Sequence, residues 1–336
     1  MPQLRKQLLS DSWVVIAEER KNRPFDFDYS VSPNPSVEGC PFEPGNEEMT
    51  PPETDRISAP DSHRYDWLVR SVPNKFPAFR TDDEHALRED GLYSSRGAYG
   101  HHEVIIENPQ HDLMMDQFSS DHMKHVLRMY QHRIEDLSNR ESIEFVQIFR
   151  NSGKQAGASL SHPHSQLAAF PFVPTGIRSK LEYSRTYYDS NDTCPVCKML
   201  ESEQGSGERI VSTTEQFTAL CPYASEYPYE IWVIPNDHQA HFERIKPEEC
   251  AELAELLPTV VGRLSRVLAE PAFNVVLQSS PVENEKDSSF DPTVVSKCFH
   301  WVLKFIPRIK RTGGFELSTN IRINNIPPEY AAEELR

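Results

Sequence analysis

Residues Phe145-Val146-Gln147-Ile148-Phe149-Arg150-Asn151-Ser152-Gly153-Lys154-Gln155-Ala156-Gly157-Ala158-Ser159-Leu160-Ser161-His162-Pro163-His164-Ser165-Gln166-Leu167-Ala168-Ala169-Phe170 decide the fold. The alternating, β-prone run Phe145–Phe149 predicts a strand, and Leu167–Phe170 predicts a second. Between them, Asn151 to Ser159 is small and polar, and its backbone N–H groups and hydroxyls suit a bound phosphate. The two histidines after that loop are expected to divide the work. One serves the structure behind the strand and the other faces a cleft, where neutral imidazole is a competent nucleophile near pH 7. Gln166, two residues past His164, is expected on the same face with an amide to offer a phosphoryl oxygen.

Outward from this segment the same pattern recurs. Strands are predicted at 12–17, 67–72 and 102–107, and a helix follows with Ser120 as its cap. Met123, Val126, Leu127, Tyr130, Ile134 and Leu137 give that helix one apolar stripe. Segments 24–62 and 81–100 read as polar loops. The second half runs from a loop around Cys194 through strands near 217–221 and 230–234. A helix over about 247–268 follows, then strands at 274–278 and 301–306.

Three landmarks repeat in order: Cys40–Glu43 with Cys194–Cys197, Asn108–His111 with Pro235–His238, and His162 with His300, each of the last two before a strand. The repeat implies an α+β fold of two related units, each an antiparallel sheet with helices, over residues 1–180 and 181–336. It also aligns two sets of metal-ligand types. Cys194, Cys197, His238 and His300 form a Cys2His2 set suited to structural zinc. In Cys40, Glu43, His111 and His162 a carboxylate replaces one thiol, giving a harder site that zinc suits and iron also fits. Basic residues stand at Arg20 and Arg23, and at Lys310 and Arg311 near the C-terminus.

The 336 residues carry 35 Lys and Arg against 51 Asp and Glu, a net charge of −16, so a broad nucleic-acid surface is not expected. No stretch reaches the roughly 20 apolar residues of a membrane helix, and no secretory h-region follows Met1. With only six cysteines, these features read as a cytoplasmic protein of a reducing compartment.

The run Phe149–Gln166 resembles the galactose-1-phosphate uridylyltransferase family of the histidine-triad superfamily. So do Arg20–Pro24, Val72–Pro77, His102–His111 and Gly314–Glu316. The resemblance spans Leu4 to nearly the end. It implies ping-pong nucleotidyl transfer, moving UMP between a UDP-hexose and a hexose 1-phosphate. In that scheme His164 is the nucleophile, His162 holds metal, and Ser159 and Gln166 act beside His164. It further implies a pocket lined by Arg20, Arg23, Asn74, Phe76, Phe149, Asn151 and Gly157, with Glu316 at the hexose, in a homodimer whose site is completed across the interface. Glu43 in place of a cysteine, Ser165 in place of glycine and Lys75 in place of aspartate depart from the familiar uridylyltransferases. The HPHSQ form and the second metal set are closer to relatives that include plant ADP-glucose phosphorylase. These imply an adenylyl alternative with inorganic phosphate as acceptor, or a dinucleoside polyphosphate as substrate. A non-catalytic nucleotide-sugar-binding protein, and a hydrolase in which water reaches the nucleotidyl-histidine, are the remaining readings. Val302 occupies the second-half position of His164, so only the first half is expected to be catalytic.

Overall fold

The computed structural model describes residues 1–22, 39–61, 63–82, 86–283 and 291–336. The first half lays down β1 (Gln3–Lys6), β2 (Trp13–Ile16), β3 (Asp55–Ser58), β4 (Trp67–Pro73), β5 (Arg88–Asp90), β6 (Tyr93–Ser95) and β7 (His101–Ile106). Helix α1 (Ser120–Ser138), β8 (Phe145–Ser152), β9 (His164–Phe170) and α2 (Thr175–Asn191) complete it. The second half gives α3 (Pro195–Ser206), β10 (Ile210–Thr213), β11 (Phe217–Leu220), β12 (Ile231–Pro235), α4 (Pro247–Leu268) and β13 (Phe273–Gln278). It ends in α5 (Pro292–Cys298), β14 (Val302–Pro307), α6 (Gly314–Thr319), β15 (Arg322–Asn324) and α7 (Pro328–Leu335).

Ten of these strands form one antiparallel sheet in the order β10-β11-β12-β14-β13-β8-β9-β7-β4-β3. From either edge inward the order is the same, so the two repeats are five-stranded halves related by a pseudo-twofold axis. They join where β8 pairs with β13, Phe149 opposite Val276 and Asn151 opposite Asn274. Gln166 lies opposite Phe149, and Lys304 lies opposite Val276. Val302 and Lys304 are therefore the counterparts of His164 and Gln166, and Gln278 is the counterpart of Asn151.

One face of the sheet is covered by α1 and α4, and a single apolar cluster runs through both halves. It contains Val126, Leu127, Ile148 and Leu167 together with Leu253, Val260, Leu277 and Phe305. Burying each such side chain contributes about 1.5–3 kcal/mol. Alternation along the strands turns His164, Gln166, Phe149 and Asn151 to the opposite face, where the functional groups gather.

Local chemistry moves several expected boundaries. The cap of α1 is Ser119, not Ser120: Ser119 is extended and its hydroxyl accepts the His122 N–H at 3.2 Å, whereas Ser120 is already helical. Cys194 is not in a loop but precedes α3, with Pro195 at the first helical position and Cys197 in the first turn. The expected loop 81–100 contains the β5–β6 hairpin. Strand β8 runs on through Asn151, because that segment pairs with β13. Strand β9 begins at His164. In a regular strand, residues two apart share a face; His162 escapes that rule because it lies before the strand. A small three-stranded sheet, β1-β2-β15, stands apart, and β15 runs parallel to β2, outside the antiparallel pattern. No described helix is long and apolar enough to cross a membrane.

Candidate active site

His164 opens β9 and is 8% exposed. Its Nδ1–H donates to the carbonyl of His162 at 2.7 Å. A carbonyl only accepts, so the proton is fixed on Nδ1 and the lone pair lies on Nε2. Burial holds the imidazole below the ordinary histidine range; Arg150 adds to this, while the His162 carbonyl and Glu107 oppose it. The ring is thus neutral and nucleophilic at neutral pH.

Beneath it, Ser165 is fully buried, and its hydroxyl bonds both Glu107 and the Tyr130 hydroxyl. Tyr130 also donates to Glu107 at 2.8 Å, and Arg150 Nε stands 3.1 Å from the other Glu107 oxygen. This polar floor accounts for serine beside the histidine where glycine was the family expectation. A glycine here would remove one of the groups that satisfy the buried Glu107 carboxylate.

Two residues outside the expected set position expected ones. His102 Nδ1 accepts the Ala78 N–H at 2.9 Å, so its Nε2–H donates to Gln166 Oε1 at 3.0 Å. That bond turns the amide NH2 of Gln166 away from His102 and leaves it free to donate. The Asn74 side chain touches the same His102 at 3.3 Å. Asn274, from the second half, donates to Asn151 Oδ1 at 2.8 Å and is itself held by Arg308. This leaves the Asn151 amide NH2 as a donor. The sequence signal for both helpers was faint, since each is a polar residue near the start of a strand.

His102, His122 and His164 are all held below the ordinary histidine value of 6.5, first by burial. With a folded pKa below the unfolded one, the unfolded chain takes up protons first as the pH falls. Stability is therefore complete above about pH 6.5 and lost below it. Thermal unfolding should show the midpoint dropping on the order of 5 °C between about pH 7.5 and pH 5.5. A flat profile would mean these histidines titrate normally.

Both ligand sets converge. In each, the four ligand atoms lie within 4.8 Å of one another. His162 Nδ1 is 3.8 Å from Cys40 Sγ and 3.2 Å from Glu43, and His111 Nδ1 is 2.7 Å from Glu43. Cys197 Sγ lies 3.3 Å from His238 Nδ1 and 3.5 Å from His300 Nδ1. Outer contacts fix the rings as metal ligands require. His162 Nε2–H donates to Asn108 O, His238 to Ser296 O and His300 to Pro235 O, while His111 Nε2 meets Ser161 Oγ. Cys194 is drawn far below the usual thiol range, first by its hydrogen bond with Cys197 and then by the two histidines. A thiol drawn toward its ionised form by Cys197 and two histidines suits a cation. All six cysteines are unpaired.

The remaining expected residues are spread wider. Gly157 is left-handed (φ 89°) in the loop before β9, and an added Cβ would come within 3.8 Å of the Asn151 amide. Ser159 is exposed on that loop. Phe76 is 85% exposed, and its N–H donates to Asn74 Oδ1. Arg20 is exposed on the short turn Glu18–Asn22. Arg23 lies outside the described residues. Glu316 caps its own helix through Gly313 N–H at 3.0 Å and meets Lys310.

Residues 1–174 match the family model for galactose-1-phosphate uridyl transferase, N-terminal domain. The chain is also 32% identical over 339 residues to ADP-glucose phosphorylase from Arabidopsis thaliana, covering all of this chain and 92% of that one. The chain belongs to the galactose-1-phosphate uridylyltransferase family. Within the family, the Thermotoga maritima galactose-1-phosphate uridylyltransferase is 29% identical over 343 residues, covering all of this chain and 98% of that one. The crystal structure of the Arabidopsis ADP-glucose phosphorylase with bound ADP-glucose superposes with a TM-score of 0.84 at 28% identity, over all of this chain and 99% of that one. Family membership makes the chain an enzyme of the nucleotidyltransferase type.

Proposed function

We propose that the enzyme transfers a nucleotidyl group in two displacements through His164. The observation that carries this is the fixed tautomer: Nδ1–H is tied to His162 O, which leaves the lone pair on Nε2. In the first displacement the Nε2 lone pair attacks the α-phosphorus of a UDP-hexose. An N–P bond forms, the bond from phosphorus to the bridging oxygen breaks, and hexose 1-phosphate leaves. The cationic ring keeps its Nδ1 proton on the carbonyl, which favours the charge. Gln166 and Asn151 donate to the phosphoryl oxygens as charge shifts onto them. In the second, a phosphate oxygen of an incoming hexose 1-phosphate attacks the same phosphorus and releases His164 neutral. Splitting the transfer lets one site run both steps.

Each four-residue set would hold zinc, and the Glu43 set would also accept iron. Such an ion supplies structure around His162 and α3, not chemistry at phosphorus. A homodimer, in which Glu316 serves the partner's hexose, and a cytoplasmic setting belong to the same proposal. Six unpaired cysteines support the latter.

A second reading has ADP-glucose as donor and inorganic phosphate as acceptor. It is favoured by the 32% identity and the TM-score of 0.84 to the Arabidopsis enzyme. Initial rates with UDP-glucose plus galactose 1-phosphate, against ADP-glucose plus phosphate, decide between them. Parallel double-reciprocal lines with the first pair support the main reading. Turnover with the second pair alone replaces it, and intersecting lines would remove the covalent intermediate.

His102→Ala should release Gln166 and lower kcat on the order of ten- to a hundredfold, with KM little changed. His102→Gln, which keeps a donor, should recover part of the loss. Equal loss in both, with lowered melting temperatures, would make His102 merely structural.

A further inference from the structure

The second half holds a cavity of about 390 Å3 on the open face of the sheet, at the pseudo-twofold counterpart of the His164 site. Its floor includes Lys304 and Gln278, the counterparts of Gln166 and Asn151, and Trp232 beside them on β12. Helix α2 brings Lys180 across the top. The lone pair of the catalytic histidine is gone here, because Val302 stands in its place, but a polar site remains.

Its donors outnumber its acceptors. Lys180 Nζ donates to Gln278 Oε1 at 2.6 Å, and Gln278 Nε2 is buried with no partner among the described residues. Lys304 Nζ stands 4.3 Å from the Trp232 ring centre, a cation–π contact. The two carboxylates that line the cavity are already engaged. Glu230 accepts from Trp232 Nε1 at 2.7 Å and from the backbone N–H groups of Glu226 and Tyr227, and Glu226 accepts from Gln7. Among the described residues no close ion pair joins Lys180 or Lys304 to a carboxylate, although the charges of Glu226 and Glu230 act on both from further off. Burial first, and the Lys304 charge second, bring the Lys180 ammonium down to about 7 against the opposing charges of Glu226 and Glu230. With the oxygens of Glu226 and Glu230 taken up by other donors, the two half-buried lysines have no direct carboxylate partner among the described residues, and an anion between them would supply one.

We infer that this cavity binds the phosphate group of a small molecule, held by Lys180 and Lys304 with its remainder against Trp232. The volume suits a ligand of sugar-phosphate size. The inference stands apart from the reading of His164, since no catalytic residue takes part in it.

Lys180 is the reporter. A lysine with so low a pKa reacts with limiting acetic anhydride at neutral pH well ahead of ordinary lysines, and peptide mass mapping of the full chain measures its rate. Inorganic phosphate or glucose 1-phosphate should slow acetylation of Lys180 at least about fivefold, whereas glucose should not. Lys304→Met should abolish that protection, and Lys304→Arg should keep it. Protection by glucose 1-phosphate where inorganic phosphate fails assigns the site to a phosphate ester, and equal protection assigns it to free phosphate. No protection by either, equal protection by chloride at matched ionic strength, or protection that survives Lys304→Met overturns the inference. If Lys304→Met fails to fold, the wild-type comparison of phosphate with chloride still decides.

Discussion

His164→Gly is expected to lower nucleotidyl transfer about ten-thousandfold or more, because it removes the atom that bonds phosphorus, and no other group can replace Nε2. The effect should fall on kcat, with binding of the nucleotide sugar largely kept. The fold should survive, since the floor beneath is held by Glu107, Tyr130 and Ser165 rather than by His164. The glycine also leaves an imidazole-sized space in the strand. Added imidazole should then recover part of the activity if geometry, not only side-chain identity, sets the rate. Steady-state rates and a melting curve check both halves. Retained full activity would take His164 out of the mechanism, and loss of activity with loss of fold would say nothing of catalysis. Gln166→Ala, which leaves the nucleophile in place, then provides the comparison.

Cys194→Ser carries the second large effect, on stability. Its thiol sits among Cys197, His238 and His300 and is 3% exposed. The set ties the start of α3 to the ends of β12 and the segment before β14. Removing one ligand of a closed structural site should lower metal content by close to one equivalent per chain and destabilise the fold by about 4 kcal/mol or more. At a temperature where the variant is still folded, turnover should change little, because the site lies in the half that lacks a histidine nucleophile. Metal analysis together with chemical denaturation makes the test. Unchanged metal content and unchanged unfolding would show that the four residues hold no ion. A selective loss of turnover at intact stability would move this site into catalysis.

The parts of the molecule legible in the sequence were those where chemistry restricts residue type. Cysteines and histidines at strand ends are few in this chain, so three repeated landmarks were enough to pair the ligands into two sets. The stripe of α1 followed from periodicity, and the expected helix over about 247–268 matches α4. The joining of the halves into one ten-stranded sheet was not legible. It depends on β8 pairing with β13, more than a hundred residues away, and nothing local in Phe149 or Val276 names its partner. His102 and Asn274 escaped for a related reason: each acts through another side chain, and a hydrogen bond across strands leaves no mark in a single sequence. The loop expected around Cys194 is instead the start of α3, because Pro195 stands at the first helical position, where a helix readily begins. Phe76 and Glu316 show the limit of one chain. The first is exposed and the second is bonded within its own helix end, so any role at the nucleotide sugar needs substrate or a second subunit.

The central claim is a covalent nucleotidyl-His164, and intact-protein mass after brief exposure to UDP-glucose, and separately to ADP-glucose, tests it most directly. An increment of one uridylyl group is expected, or of one adenylyl group under the second reading, lost on adding the acceptor and absent in His164→Gly. Turnover with no increment from either donor, or an increment that persists in His164→Gly, would contradict it.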